Sequence, residues 1–281
     1  MKAFIALTKP GLVVMLVLTT CVGFYLGSDG LLKWLDLIHV IFGTMLAAGG
    51  TLSLNQYMER EEDALMHRTQ MRPLPGGKLQ PREALIFGVG ITAVGLLYLG
   101  LVVNVLSCLV AAAITITYLF IYTPLKSRTT LSTVFGAIPG GLPPVIGWAG
   151  ARNELGVEAG ILFAILFLWQ MPHALALAWL YKDDYARAGF QLLPAVDPEG
   201  RFTSIQILVH CFVLIVVSLV PTIIGLTGEI YFYTTFLAGL GLIVFAIHLT
   251  VTRTLTSARK LFFVTLIFLL VQFSTMAFDK I

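Results

Sequence analysis

Asn55, Glu59, Glu62 and Asp63 follow directly on an apolar run, 37–54, long enough to cross a bilayer. If that helix continues for two more turns, about 100° per residue places them, with Met66, inside roughly a 100° arc. Arg60 and Glu61 point elsewhere. An amide and carboxylates along one stripe make an oxygen-only donor set, which suits Mg²⁺ and little that is softer. Arg68 and Arg72, just beyond, carry guanidinium groups able to hold the phosphate oxygens that such a metal shares. A solvated charged loop is the ordinary reading of such a run. Attachment to the end of a membrane helix favours the chemical one for this acidic stretch, 55–74.

A second dense stretch lies at 181–194, where Tyr181-Lys182-Asp183-Asp184-Tyr185 leads to Arg187 and Pro194. Both stretches follow even-numbered spans, four spans apart, and both pair acids with Arg or Lys. That spacing reads as an internal duplication, with a site between the repeats. Two acid clusters facing one cavity hold two metal ions on either side of a diphosphate. Asp183 and Asp184 are neighbours and face different ways, so one of them serves. In isolation the pair also reads as charges at a helix end.

The elements that must position these groups are membrane helices. The chain has 281 residues, 58% hydrophobic and 12% charged, far from a soluble composition. Apolar stretches near 12–28, 37–57, 84–103, 106–123, 131–149, 157–180, 204–226, 230–251 and 261–278 predict nine spans. The expected fold class is all-α: one domain over 1–281, a bundle of nine transmembrane helices around a cytoplasm-facing central cavity. The start, Met1-Lys2-Ala3-Phe4, lacks a signal-peptide cleavage pattern, so the first apolar run reads as a retained span. With the N-terminus inside, fifteen of the 18 lysines and arginines fall in inside segments. Only Lys33, Arg152 and Lys280 fall outside. That bias predicts a cytoplasmic N-terminus, an external C-terminus and an inner (plasma) membrane of bacterial type. The net charge of +3 reflects topology and implies no nucleic-acid partner. Cys21, Cys108 and Cys211 sit singly in separate spans and read as packing residues.

Asn55-x3-Glu59-x3-Asp63-x2-Met66-x-Arg68-Thr69-x2-Arg72-Pro73 resembles the first acidic motif of the UbiA superfamily of intramembrane prenyltransferases. Thr8-Lys9-Pro10, Tyr122-Thr123-Pro124-Leu125-Lys126-Ser127-Arg128 and Pro143-Pro144-Val145-Ile146-Gly147-Trp148 extend the likeness. Trp169-Gln170-Met171-Pro172-His173 and Asp184-Tyr185-x2-Ala188-Gly189-x2-Leu192-Leu193-Pro194 complete it, over roughly 8 to 207. The chain departs from the superfamily pattern in having Gln56 and Glu59 where Asp is usual. Its second motif offers only Asp183 and Asp184 in place of Asp-x3-Asp. The degenerate second motif and the Pro172-His173 pair resemble the heme-modifying branch more than the quinone branch.

The resemblance implies transfer of a farnesyl group from farnesyl diphosphate to a vinyl group of heme B, with addition of water. Mg²⁺ would be held by Asn55, Glu59, Asp63 and Asp184. Arg68, Arg72, Lys126 and Arg128 would clamp the diphosphate, with Lys182 beside them. The allylic cation needs aromatic faces and a dry pocket, and Tyr118, Tyr122 and Tyr185 either supply those faces or anchor helix ends at the interface. His173 either touches the heme, through iron or propionate, or satisfies a helix broken by Pro172. His39, His210 and His248 read as packing or polar helix contacts, and His67 as solvated. Gly136, Gly140, Gly141 and Gly147 permit close packing or room for a flat ring, and Asn104 marks a turn. Membrane lipid, and heme A synthase or terminal oxidase assembly proteins, are the implied partners. An aromatic prenyltransferase making quinone or chlorophyll precursors, a transporter and an oxidase-assembly scaffold are the competing readings. A transporter site usually lies near the midplane, whereas these acids lie at one face.

Overall fold

The computed structural model describes all 281 residues. Nine helices are long and apolar enough to cross a membrane: α1 Pro10–Gly27, α2 Trp34–Met58, α3 Pro81–Val103, α4 Val105–Leu125, α5 Ser132–Arg152, α6 Val157–Leu180, α7 Arg201–Ile223, α8 Glu229–Thr252 and α9 Leu255–Phe278. There are no strands, only an isolated bridge between Thr227 and Lys280. The all-α expectation of nine spans is met. The ends differ most at α9, which begins at Leu255 rather than 261. Thr254 caps it, its hydroxyl accepting from the Ser257 N–H at 3.2 Å, so the helix starts ahead of its apolar run.

Lipid offers no hydrogen bonds, so contact between spans depends on close approach of backbones. Gly147 on α5 lies against the Thr20 carbonyl of α1, and Gly23 on α1 lies against the Pro144 carbonyl of α5. A side chain at either position would collide with backbone. Gly136 likewise makes room for the Tyr122 ring, Gly140 for Gln170 and Gly141 for Phe163. These four glycines of the fifth span are therefore packing residues. Asn104 caps α4, its Oδ1 accepting from the Ser107 N–H at 2.8 Å.

Three irregularities shape one end of the bundle. Pro124 has no N–H to give the preceding turn, and the end of α4 loosens into a π turn over Thr117–Tyr122. The Tyr118 carbonyl accepts both the backbone N–H of Thr123 and its hydroxyl, the latter at 2.9 Å. After α2 and after α6 the chain makes a short helix, Arg60–Leu65 and Lys182–Arg187. The segments that follow meet over a small apolar cluster of Met66, Ala178, Ala188, Phe190 and Leu192. Beneath them a narrow gap runs between α1, α2, α4 and α5, walled by Leu16, Thr44, Ala47, Thr51, Ala111 and Pro143.

Candidate active site

Glu59 leaves helical geometry at φ −95°, ψ 16° before the short helix Arg60–Leu65 begins. The hydrogen-bond ladder still carries through. The Glu59 N–H donates to the Asn55 carbonyl at 3.0 Å, and the Asp63 N–H to the Glu59 carbonyl at 2.8 Å. The stripe survives the kink: Asn55, Glu59, Asp63 and Met66 are 1%, 6%, 0% and 2% exposed. Glu61 lies outside and pairs with Arg60 at 2.9 Å. Glu62, also expected on the stripe, is half-buried, and its Oε2 is sealed without a partner.

Asn55, Glu59 and Asp63 each meet a cation. Lys126 Nζ donates to Glu59 Oε1 at 2.6 Å, and Arg72 Nη1 donates to both oxygens of Asp63, at 2.7 and 2.6 Å. Lys9 Nζ donates to Asn55 Oδ1 at 2.9 Å, while Asn55 Nδ2 donates to Thr123 Oγ1 at 3.1 Å. The π turn of α4 thus aims Thr123, and through it orients Asn55. The Lys126 ammonium also lies 4.5 Å from the Tyr122 ring centroid, and Tyr118 packs on Tyr122 at 5.3 Å.

Electrostatics follow from this mutual neutralisation. Burial would push the Glu59 carboxyl up, but Lys126 and Lys9 hold it below the usual range. Burial would likewise lower Lys126, and Glu59 outweighs it, so the ammonium stays charged far above neutrality. Lys9 is the exception. Removal of its ammonium from water, with Arg72 beside it, pulls it down to about 7 despite the pull of Glu59.

The second motif contributes one acid and excludes the other. Asp184 is buried and Asp183 exposed. Asp184 accepts the backbone N–H groups of His67 at 3.3 Å and Arg68 at 3.2 Å, and Arg187 Nη1 at 2.8 Å. Burial would raise its carboxyl, yet those donors hold it below the usual range. Arg68 donates to the Tyr185 hydroxyl at 3.2 Å and lies over the Tyr181 ring at 4.8 Å.

The fold therefore gathers Asn55, Glu59, Asp63, Arg72, Lys126 and Tyr122 in one group, with Arg68, Asp184 and Tyr185 joined beside it. Arg128 is exposed and Lys182 half-buried, both without a side-chain partner. His173 stands apart, bonded to Thr265 of α9. His39 bonds Tyr98 and His210 the Gln206 carbonyl, as structural contacts. No three acids, cysteines or histidines converge on one point, because each acid is drawn to its own cation or amide. The donor set nonetheless suits a hard cation: amide and carboxylate oxygens only, with one oxygen of Glu62 sealed and unpartnered.

Lys9 and Thr123 are the site residues that the stripe does not reveal. The signal for Lys9 was its place before Pro10 at the mouth of a span. Its backbone sits in the left-handed region at φ 49°, a conformation costing a non-glycine residue of order 1 kcal/mol and found where the surroundings impose it.

Comparison with known proteins bears on this geometry. The model of the UbiA prenyltransferase family matches residues 16–270. The protoheme IX farnesyltransferase of Solibacter usitatus is 44% identical, covering 100% of this chain and 99% of its own. That of Aquifex aeolicus is 37% identical, covering 100% and 96%. Among solved structures, one from work on digeranylgeranylglyceryl phosphate synthase in membranes superposes with a TM-score of 0.83 at 16% identity, covering 99% and 97%. A UbiA homolog from Archaeoglobus fulgidus bound to GPP and Mg²⁺ superposes at 0.67 with 14% identity, covering 98% and 99%. These last two likenesses are of fold.

Proposed function

The chain belongs to the UbiA prenyltransferase family, and on that premise we propose that it transfers a farnesyl group from farnesyl diphosphate to a vinyl group of heme B, with addition of water, giving heme O for terminal oxidase biogenesis. The observation that carries the chemistry is the buried stripe Asn55, Glu59 and Asp63 set against Lys9, Lys126 and Arg72. Without substrate, acids and cations neutralise one another. A diphosphate arriving with Mg²⁺ would offer both sets new partners, phosphate oxygens for the cations and the metal for the acids.

Asn55, Glu59 and Asp63, with Asp184 from the second motif, would hold Mg²⁺ through their oxygens, and the ion would neutralise charge developing on the leaving diphosphate. Arg72, Lys126 and Lys9 hold its oxygens, with Arg68, over the Tyr181 ring, beside them. The C1–O bond of the farnesyl group breaks and the electron pair departs with diphosphate. The vinyl π pair of heme then bonds to C1, leaving a cation on the carbon next to the porphyrin ring. Water adds there and loses a proton, giving the hydroxyethylfarnesyl side chain. Tyr122, with Lys126 over its ring, and Tyr118 wall the place where the allylic cation forms.

The farnesyl chain would run along the seam between α1, α2, α4 and α5, where the narrow gap has to widen to admit it. Thr44, Ala47, Ala48 and Thr51 line that gap on α2, on the same helical face as Asn55. The face descends 11 residues from Asn55 to Thr44, about 16 Å at 1.5 Å per residue. A very apolar tail beneath a charged head explains why such a site lies at one end of a membrane bundle. His173 serves the acceptor, as an iron or propionate contact.

The deciding experiment incubates membranes containing the protein with heme B, farnesyl diphosphate and Mg²⁺ and identifies the pigments by mass. Heme O is the expected product. Farnesylation of a quinone precursor in its place would overturn the assignment. The Lys and Arg bias puts this face in the cytoplasm, so a reporter fused to the C-terminus should be active only outside; cytoplasmic activity would reverse the orientation.

A further inference from the structure

His173 lies on α6 about two turns from the end that carries the acidic motifs, between two aromatic rings. Trp169, four residues earlier, stacks on one face at 4.5 Å and 18°, and Phe262 of α9 on the other at 4.7 Å and 28°. The sandwich fixes the plane of the imidazole. What fixes its proton is Thr265, one turn beyond Phe262. Its Oγ1 lies 2.9 Å from His173 Nδ1, and the same hydroxyl donates to the Phe262 carbonyl at 2.6 Å. A hydroxyl has one proton. With that proton on the Phe262 carbonyl, Thr265 Oγ1 can only accept from His173, and Nδ1 must carry the hydrogen. The lone pair of the neutral ring is then on Nε2, which makes no hydrogen bond within the protein and is not among its sealed, unpartnered atoms. The Thr265 carbonyl accepts Trp169 Nε1–H at 2.7 Å, so one residue of α9 holds both the histidine and the ring stacked on it.

We propose that Thr265 is a positioning residue that fixes His173 as the Nδ1–H tautomer, so that Nε2 ligates the iron of the incoming porphyrin and holds the heme during prenylation. This rests on heme being the acceptor, as proposed above. Histidine ligands commonly donate their second ring N–H to an outer partner, which orients the ring and raises its basicity, and loss of that partner typically costs about 10–100-fold in affinity. Here the partner is a hydroxyl whose own proton is already committed.

The test uses the full chain in nanodiscs, as wild type, Thr265→Val, Thr265→Ser and His173→Ala. Four measurements are made: nitrogen-15 shifts of His173 without heme, heme B titration with the iron–histidine vibration read by resonance Raman, farnesyl diphosphate binding, and heme O formation. Wild type should show the Nδ1–H tautomer and a histidine-ligated heme. Thr265→Val should mix the tautomers, weaken heme binding about tenfold and shift the vibration, while farnesyl diphosphate binding stays unchanged. Thr265→Ser, which keeps the hydroxyl, should restore all three, and His173→Ala should abolish the vibration. Heme O formation by wild type together with an unshifted tautomer and vibration in Thr265→Val would overturn the role of Thr265 and leave the proposed reaction standing. An unchanged vibration in His173→Ala would overturn ligation. Failure of wild type to bind heme would overturn both readings together.

Discussion

After α2 the chain leaves helical geometry at Glu59 and forms the short helix Arg60–Leu65; after α6 it does so at Tyr181, at φ −118°, ψ 24°, and forms Lys182–Arg187. Each short helix has six residues and carries acids in its first turn. The first turns Asp63 inward onto Arg72, and just before it Glu59 and Asn55 meet cations from distant segments, Lys126 and Lys9. The second has one inward acid, Asp184, and that acid accepts backbone N–H groups of the first loop. One scaffold thus carries a reactive cluster at one place and a clasp at the other. A carboxylate whose partners are side-chain cations can exchange them for a metal. One bonded to backbone amides holds a fold in place. The single-acid second motif is therefore suited to closing the site, and adds one metal ligand at most.

The largest difference should appear between acids of the first loop. Asp63→Ala removes a stripe oxygen and leaves Arg72 without its partner. Heme O formation in the membrane assay should fall at least about a hundredfold, the usual loss for one strong electrostatic element. Glu61→Ala, exposed and off the stripe, should change it little. Equal losses would mean that the stripe has no special role.

Lys9→Met sharpens the same side of the comparison. It retains length and removes the charge facing Asn55 and the proposed diphosphate. One charge-assisted bond contributes about 1.5–3 kcal/mol, so apparent affinity for farnesyl diphosphate should weaken about tenfold or more. Unchanged affinity would reduce Lys9 to a brace for Asn55.

What could be read from sequence and what could not divides along the same physical line. Period alone fixes the face of a helix, so the stripe of Asn55, Glu59 and Asp63 and the nine spans were legible, as was the turn at Asn104. Partners separated by long stretches of chain were not. Nothing in spacing brings Lys9 to Asn55, 46 positions away, or Thr265 to His173, 92 away. Arg72 was legible as a phosphate ligand but not as the partner of Asp63, since that pairing depends on how the loop folds back. Arg128 was placed in the clamp for its proximity to Lys126. The turn after α4 leaves it in solvent, because Lys126 alone follows the π turn inward.

Asp184→Asn tests the clasp. The amide keeps one carbonyl oxygen for two backbone donors and loses the charge that favours them. Hydrogen exchange at His67 and Arg68 should quicken, and turnover should fall about tenfold, the effect of roughly 1.4 kcal/mol. Asp183→Asn, whose side chain is exposed, should leave both unchanged. Lost activity with unchanged exchange, accompanied by a higher Mg²⁺ requirement, would show that Asp184 acts only as a metal ligand and holds no clasp.

The smallest effects are expected at Lys182 and Arg128, the basic residues of the two motifs that find no partner. An exposed charge without a fixed counter-charge gains little from pairing, typically 0–1 kcal/mol, and salt screens it further. Lys182→Ala and Arg128→Ala should therefore leave turnover within about twofold at physiological salt. Any contribution they make should be to the arrival of the triply charged diphosphate along the face that carries the acidic motifs. It would appear as a modest rise in KM at low ionic strength that vanishes as salt is added. A large, salt-independent loss in either variant would mean that the loop closes over bound substrate and carries that residue into the site, and the division between reactive cluster and clasp would have to be redrawn to include it.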